Sequence, residues 1–206
     1  MSEPKITLVA NDLPSGITFA DGLVAVDTET TGLSVTADKL CLVQVGDSAG
    51  NVWLVKLTDD YSAPNLKRVL ADPKLLKIFH FARFDLAQLQ RHLGVRTAPF
   101  FCTKIAHKLL HAEAKKHNLR ALVREYAGAE LDKAEQMSNW AAPTLTDSQQ
   151  KYAALDVFHL AKIWQALSEE LQQQNKNEWM QAALDYLPVR VDMDLASQPE
   201  DDLFAH

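Results

Sequence analysis

Residues 24–33 read VAVDTETTGL, an apolar run that ends in two carboxylates, Asp27 and Glu29. Alternate residues of a β-strand lie on the same face of its sheet, so both carboxylates are expected to point the same way. A buried carboxylate is costly unless it is paired or bound to a metal ion. The stretch therefore predicts a buried strand whose end carries either a structural ion pair or a cation site.

The composition is that of an ordinary folded protein. The chain has 206 residues, of which 47% are hydrophobic and 23% charged, and we expect residues 1–206 to form one domain. We see no apolar run near the ~20 residues that a membrane helix needs, and no signal-peptide pattern, so we expect a cytoplasmic protein without a membrane segment. Only two cysteines are present, and they form no CxxC pair. A disulfide framework or a zinc knuckle is not expected.

The formal net charge of −6 limits the kind of nucleic acid that the protein can bind. Proteins that grip long nucleic acids through their phosphates usually have a basic face. An acidic total instead fits a short ligand, or a deep site in which metal ions supply the positive charge.

The hydrophobic pattern predicts a mixed α/β fold. The predicted strands are residues 6–9, 17–19, 23–27, 39–45, 52–57, 77–79 and 100–102. The predicted helices are residues 64–71, 82–93, 103–111 (with Thr103 as a possible cap), 119–127, one long helix from Thr146 through Leu167, and 176–186, followed by an irregular tail. Strands 23–27, 39–45 and 52–57 form an antiparallel unit, and strands and helices then alternate. We expect a single mixed sheet flanked by helices.

Three further residues complete a possible site. Asp85 lies at the strand-to-helix junction FHFARFD, and Tyr152 and Asp156 are four apart, so they stack on one helix face. Each signal is weak alone. An acid in the first turn of a helix usually compensates the helix dipole, and such a tyrosine is more often a core residue. Only the ordered set, Asp27 and Glu29 followed by these three, favours a metal site.

In this order and context the residues resemble the DEDD superfamily of 3′-to-5′ exonucleases, in the tyrosine-bearing subgroup that includes ribonuclease D. The stretches LCLVQVGD, KIFHFARFDLA, FCTKIAHKL, SNWAAPTLT, YAALDVFHL and DLFAH extend the likeness along most of the chain. They resemble the compact nano-RNase C group, which cleaves very short RNAs. The resemblance implies a ribonuclease H-like sheet flanked by helices.

The resemblance also implies a chemistry. Asp27, Glu29, Asp85 and Asp156 would bind two divalent cations, Mg²⁺ or Mn²⁺, and Tyr152 would orient or help deprotonate the attacking water. The substrates would be short single-stranded RNAs, especially 5′-phosphorylated dinucleotides such as pGpG, and the products nucleoside 5′-monophosphates. Relatives of this group form ring-like homo-octamers, so we expect a high-order homo-oligomer. The C-terminal tail, about residues 187–206, is a possible subunit contact.

Four residues are possible substrate contacts. Leu33 resembles a leucine that wedges between two bases, although a core leucine after a turn explains it equally well. Thr30 is placed to contact the 3′-terminal nucleotide. His80 and Arg83 flank the Asp85 junction and could reach the RNA, since a guanidinium matches phosphate well. For His80, a structural histidine is a serious rival.

Two other features stay open at the level of sequence. The basic segment 107–120 is either a solvated helix face or part of a clamp on a 5′-phosphate. Trp140 is either a core residue or a contact for a base or a neighbouring subunit. Two other functions also remain open: a ribonuclease D-type trimmer of longer RNA or a DNA exonuclease, and an inactive RNA-binding module on the same fold.

Overall fold

The structure is a computed structural model, and it describes residues 3–19, 21–132, 135 and 137–197. Its strands are β1 (Lys5–Ala10), β2 (Leu23–Thr30), β3 (Leu40–Gly46), β4 (Asn51–Lys56), β5 (Leu76–Phe79) and β6 (Phe100–Cys102). Its α-helices are α1 (Pro64–Ala71), α2 (Ala82–Leu93), α3 (Thr103–Leu110), α4 (Leu119–Leu122), α5 (Asp147–Phe158), α6 (Leu160–Gln173) and α7 (Asn177–Leu195). A π-helical turn, Val123–Ala127, continues α4.

The six strands form one mixed sheet in the order β1-β4-β3-β2-β5-β6. The pairs β2–β3 and β3–β4 are antiparallel, as the sequence predicts. The remaining pairs, β1–β4, β2–β5 and β5–β6, are parallel. The expected α/β fold, a ribonuclease H-like sheet flanked by helices in a single domain, is confirmed. Among the described residues, no helix combines the length and the apolarity needed to cross a bilayer.

Helices cover both faces of the sheet. On one face, Val24 and Val26 of β2 pack in a buried cluster with Leu86 and Leu89 of α2, and this cluster also includes residues of α1 and α7. On the other face, Ala25 of β2 belongs to a cluster with residues of α5. Because successive side chains of a strand alternate between faces, β2 contributes to both layers. This central strand carries Asp27 and Glu29.

The predicted strand 17–19 is wrong, because these residues are irregular. The segment before them instead stabilises the first turn of α1, since Asp12 accepts hydrogen bonds from the backbone amides of Asn65 and Leu66 at 2.9 and 2.8 Å. Phe19 then packs edge-on against Trp53, with ring centroids 6.1 Å apart. The apolar residues of this segment are therefore used for packing and not for strand pairing.

The predicted long helix is in fact two helices, α5 and α6, which meet at His159. Thr146 caps α5 as expected, in a capping box with Gln149. The break lets α5 lie against the sheet while α6 packs against α3.

The final helix is longer than predicted and runs through Pro188 to Leu195. A proline usually ends a helix. Here the flanking Leu187 and Val191 are buried in the cluster that includes residues of α2 and β6, and this packing, chiefly on α2, holds the helix together. Of the predicted contact tail, residues 187–195 belong to α7, and residues 198–206 lie outside the described part of the chain.

Candidate active site

Three carboxylates converge beside the end of β2. Asp27 and Glu29 leave β2 on one face, and Asp156 comes from α5, which packs on that face. One oxygen from each of the three lies within 4.8 Å of the other two. The structure thus brings together three of the four predicted metal ligands.

Asp85 reaches the site from the opposite face of the sheet, where α2 packs. It lies outside the triad of close oxygens but is buried, with 3% of its surface exposed. Its Oδ1 accepts a 2.7 Å hydrogen bond from the hydroxyl of Thr28, which stands between Asp27 and Glu29. Thr28 therefore connects the two faces of the site. The sequence does not single out Thr28, although a polar residue in the buried stripe Val24, Val26, Thr28 is a signal of such a role.

The carboxylates are expensive to ionise together. Burial raises the pKa of Asp27 to about 7. Burial and then the nearby charges of Asp27, Asp156 and Asp85 raise the pKa of Glu29 to about 10. The pKa values of Asp85 and Asp156 are also raised, by burial and then by Asp27. A site of this kind ionises readily when a cation is present, and its all-oxygen ligands fit Mg²⁺ or Mn²⁺.

One polar group orients these ligands, and a second lies beside them. Gln44, the cross-strand partner of Asp27 on β3, is fully buried and donates its amide to Asp27 Oδ2 at 3.3 Å. Tyr152 lies one helical turn before Asp156 on α5, close enough for the Asp156 charge to act on its hydroxyl. Burial, and then the charge of Asp156, raises the pKa of Tyr152, so the hydroxyl keeps its proton at neutral pH. In this state Tyr152 is a hydrogen-bond donor.

The loop after β2 is built around Asp38. Its carboxylate accepts hydrogen bonds from the Thr31 hydroxyl and the Ser34 amide, both at 2.8 Å. A Cβ atom on Gly32 would lie only 2.6 Å from Asp38 Oδ2, so a side chain at this position would displace the Asp38 carboxylate. The Thr30 hydroxyl, a predicted substrate contact, donates to the Gly32 carbonyl. The loop is therefore fixed by its own hydrogen bonds.

This loop presents Leu33 to solvent, with 88% of its surface exposed. The core-leucine interpretation of Leu33 is wrong. Leu33 and Phe81 line an open groove of about 470 Å³, together with Arg83, Phe84 and Asp194. A second cavity, of about 310 Å³, is lined in part by Tyr152 and Asp156.

Phe81 is a feature that the sequence analysis missed. It has a left-handed backbone conformation, with φ of 71°, and 44% of its surface is exposed. A bulky residue in this conformation is strained, and such strain is concentrated at functional sites. The Lys104 ammonium lies 3.8 Å from the centre of its ring. Phe81 thus offers an exposed aromatic face beside a cation.

The two residues that flank the Asp85 junction are both engaged. His80 Nδ1 lies 2.9 Å from the Thr103 hydroxyl, and this hydroxyl donates a hydrogen bond to the Phe79 carbonyl at 3.1 Å. Thr103 is therefore not the cap of α3, because Cys102 occupies the cap position. Burial lowers the pKa of His80 to about 3, so its ring is neutral. Arg83 forms a bidentate ion pair with Asp194 of α7, at 2.6 and 2.7 Å.

The structure also shows the positions of Trp140 and of the basic segment 107–120. Trp140 is a core residue, with 2% of its surface exposed, and its ring lies 6.1 Å from that of Tyr152. The segment 107–120 is not one helix face, because α3 ends at Leu110 and α4 begins at Leu119.

Comparison with known proteins decides the family. A family profile described as 3′-5′ exonuclease matches residues 13–172. The chain belongs to the 3′-5′ exonuclease family. Within this family, its likeness to the ribonuclease D-like nano-RNase C group is confirmed by the solved structures that it resembles.

Two of those structures come from Brucella melitensis. NrnC bound to pGG is 37% identical to this exonuclease-family chain, with a TM-score of 0.92 over 99% of this chain and 100% of the other. NrnC with bound Mg²⁺ is 36% identical, with a TM-score of 0.92 over 98% and 99% of the two chains. Ribonuclease D of Gluconacetobacter diazotrophicus is 32% identical over 161 residues. The match covers 78% of this chain but only 41% of the length of that relative.

Proposed function

We propose that the protein is a metal-dependent 3′-to-5′ exoribonuclease that hydrolyses very short RNAs, with 5′-phosphorylated dinucleotides as its best substrates. The observation that carries this proposal is the convergence of Asp27, Glu29 and Asp156, with Asp85 joined to them through Thr28. The Mg²⁺ bound in one solved relative and the pGG bound in another support the choice of metal and substrate.

The four carboxylates are the ligands for two divalent cations, Mg²⁺ or Mn²⁺. Their raised pKa values fit this role, because ionising four buried carboxylates next to one another is unfavourable unless bound cations balance their charge. When bound, the cations lower the pKa of the attacking water and stabilise the departing 3′-oxygen. Gln44 holds Asp27 in position, and the Tyr152 hydroxyl, beside Asp156, orients the water. Attack on the bridging phosphorus breaks its bond to the 3′-oxygen and releases nucleoside 5′-monophosphates.

The groove lined by Leu33, Phe81 and Arg83 is the proposed substrate cleft. Leu33 and Phe81 place one aliphatic and one aromatic surface there, and base stacking on aromatic residues tolerates every base. Arg83 lines this groove, and Thr30 and His80 are further proposed substrate contacts. His80 contributes a neutral ring, and Arg83 contributes a guanidinium already paired with Asp194.

A degradation assay over substrate length tests the proposal. 5′-Phosphorylated RNAs of two to seven nucleotides, and single-stranded DNA of the same lengths, are incubated with the protein and Mg²⁺. We expect the dinucleotide to be hydrolysed fastest, and no hydrolysis by the Asp156→Asn variant. Equal rates on long RNA or DNA would instead favour a ribonuclease D-type trimmer or a DNA exonuclease. No hydrolysis of any substrate would favour an RNA-binding module.

We also propose a high-order homo-oligomer, an octamer, as in the group that the chain resembles. Hydrolysis of dinucleotides such as pGpG would give this assembly a role in the last step of RNA turnover and in the breakdown of cyclic di-GMP. Light scattering of the purified protein measures the assembly directly. A monomer would contradict this part of the proposal without affecting the assignment of the carboxylates.

A further inference from the structure

Three histidines meet on a part of the molecule that the proposed reaction does not use. His107 lies on α3 and His111 is the residue directly after this helix, and their rings are tilted against each other with centroids 4.7 Å apart. His117, in the connection to α4, brings its Nδ1 within 2.8 Å of His107 Nδ1. None of these residues belongs to the carboxylate site on β2, α2 and α5.

The adjoining π-helical turn adds a carboxylate to this cluster. Glu125 Oε2 lies 3.5 Å from His107 Nε2. One ligand atom from each of His107, His111 and Glu125 lies within 4.8 Å of the other two. Tetrahedral zinc, with bonds of about 2.0–2.2 Å, places its ligands about 3.3–3.6 Å apart. The three side chains therefore need little movement to share one cation. Single π-helical turns of this kind often mark functional sites.

Both histidines are already held by other groups. His107 Nδ1 contacts His117, which leaves Nε2 on the side of Glu125. His111 Nε2 lies 2.9 Å from Glu170 Oε2 of α6. Histidines that bind metals usually have their second nitrogen fixed by an outer carboxylate or another polar group in this way. The ligand set is thus oriented before any cation arrives.

The site also has an entry path. The His107 side chain is 2% exposed, whereas those of His111 and Glu125 are 32% and 52% exposed. A cation can therefore approach from solvent and keep a water molecule in its fourth position. Two imidazoles and one carboxylate favour a borderline transition metal, since Mg²⁺ and Ca²⁺ prefer sites made only of oxygen.

We propose that His107, His111 and Glu125 form a second metal site, which binds a divalent transition metal of the Zn²⁺ class. The proposal does not depend on the exonuclease activity. A bound cation would join α3 to the π-helical turn, and Glu170 would couple it to α6.

Zinc binding to the full-length protein tests the site. The metal-free protein is equilibrated with Zn²⁺ in the presence of excess Mg²⁺, which occupies the carboxylate site, and bound zinc is measured by elemental analysis. We expect one equivalent of zinc in the parent and a rise in Tm of about 5–10 °C when free zinc is 100-fold above its Kd.

Four variants separate this site from other zinc sites. Glu125→Gln and His111→Asn each remove one ligand at a partly exposed position, and should weaken zinc binding by more than about 100-fold. Glu170→Gln removes only the outer partner and should weaken it by about 10–100-fold. Glu113→Gln changes an exposed acid outside the cluster and should have no effect.

Circular dichroism of the metal-free variants establishes that each is folded. The proposal is wrong if Glu125→Gln and His111→Asn bind zinc as tightly as the parent. It is also wrong if excess Mg²⁺ removes all zinc from the parent, because zinc would then occupy only the carboxylate site.

Discussion

The substitution Thr28→Val tests how Asp85 is tied to the rest of the site. Valine has nearly the same shape as threonine and suits a buried strand, but it cannot donate the 2.7 Å hydrogen bond to Asp85 Oδ1. A hydrogen bond to a charged group contributes about 1.5–3 kcal/mol, and each 1.4 kcal/mol changes an equilibrium constant tenfold. Because the ionised form of Asp85 is the form that binds metal, the loss should appear as weaker cation binding. We expect the Mg²⁺ concentration for half-maximal activity to rise about 10–100-fold, in line with the usual effect of removing an outer partner of a metal ligand.

The assay is the initial rate of dinucleotide hydrolysis as a function of Mg²⁺ concentration. Thr28→Ser is the matched control, because it keeps the hydroxyl and loses only a methyl group, and it should resemble the parent. If Thr28→Val has the Mg²⁺ dependence of the parent, the hydrogen bond does not position Asp85. If Thr28→Ser is as impaired as Thr28→Val, packing of the methyl group and not the hydroxyl is responsible.

Three further predictions concern other parts of the site. The pKa of Glu29 is raised to about 10 in the folded protein, whereas in the unfolded chain Glu29 ionises near its usual 4.5, so the metal-free parent should lose stability as the pH rises from 6 to 9. Urea unfolding with a chelator present should show a smaller loss of stability for Glu29→Gln than for the parent, and equal losses would refute the assignment. Gly32→Ala should displace the loop, because its Cβ would lie 2.6 Å from Asp38 Oδ2. Both Gly32→Ala and Leu33→Ala should therefore raise the KM for dinucleotide, and an unchanged KM in both would remove Leu33 from the cleft. Tyr152→Phe should lower kcat about 10²–10⁴-fold, the range expected for a group that assists proton transfer, without changing Mg²⁺ binding, and an unchanged kcat would exclude its role.

The sequence was sufficient for the parts of the fold that depend on local pattern. The alternation in β2 placed Asp27 and Glu29 on one face, and the spacing of Tyr152 and Asp156 placed both on one face of α5. It failed where tertiary contacts override local preference. Pro188 predicts the end of a helix, yet α7 packs on α2 and continues to Leu195.

Some residues of the site cannot be identified from the sequence, because their roles also depend on tertiary contacts. Thr28 and Gln44 act through partners 57 and 17 residues away in the chain, and no local pattern identifies such contacts. Phe81 is exceptional because of its backbone conformation, which only the structure reveals. The exposure of Leu33 likewise depends on how Asp38 folds the loop beneath it.

The most direct test of the central claim is the hydrolysis of a 5′-phosphorylated dinucleotide at saturating Mg²⁺ by the parent, by Asp156→Asn and by the parent with a chelator. We predict that the parent releases nucleoside 5′-monophosphates, that the chelator stops this release, and that Asp156→Asn releases none although it remains folded. Release by the folded variant, or release that persists in the chelator, would contradict the assignment of the carboxylates as a metal-dependent active site.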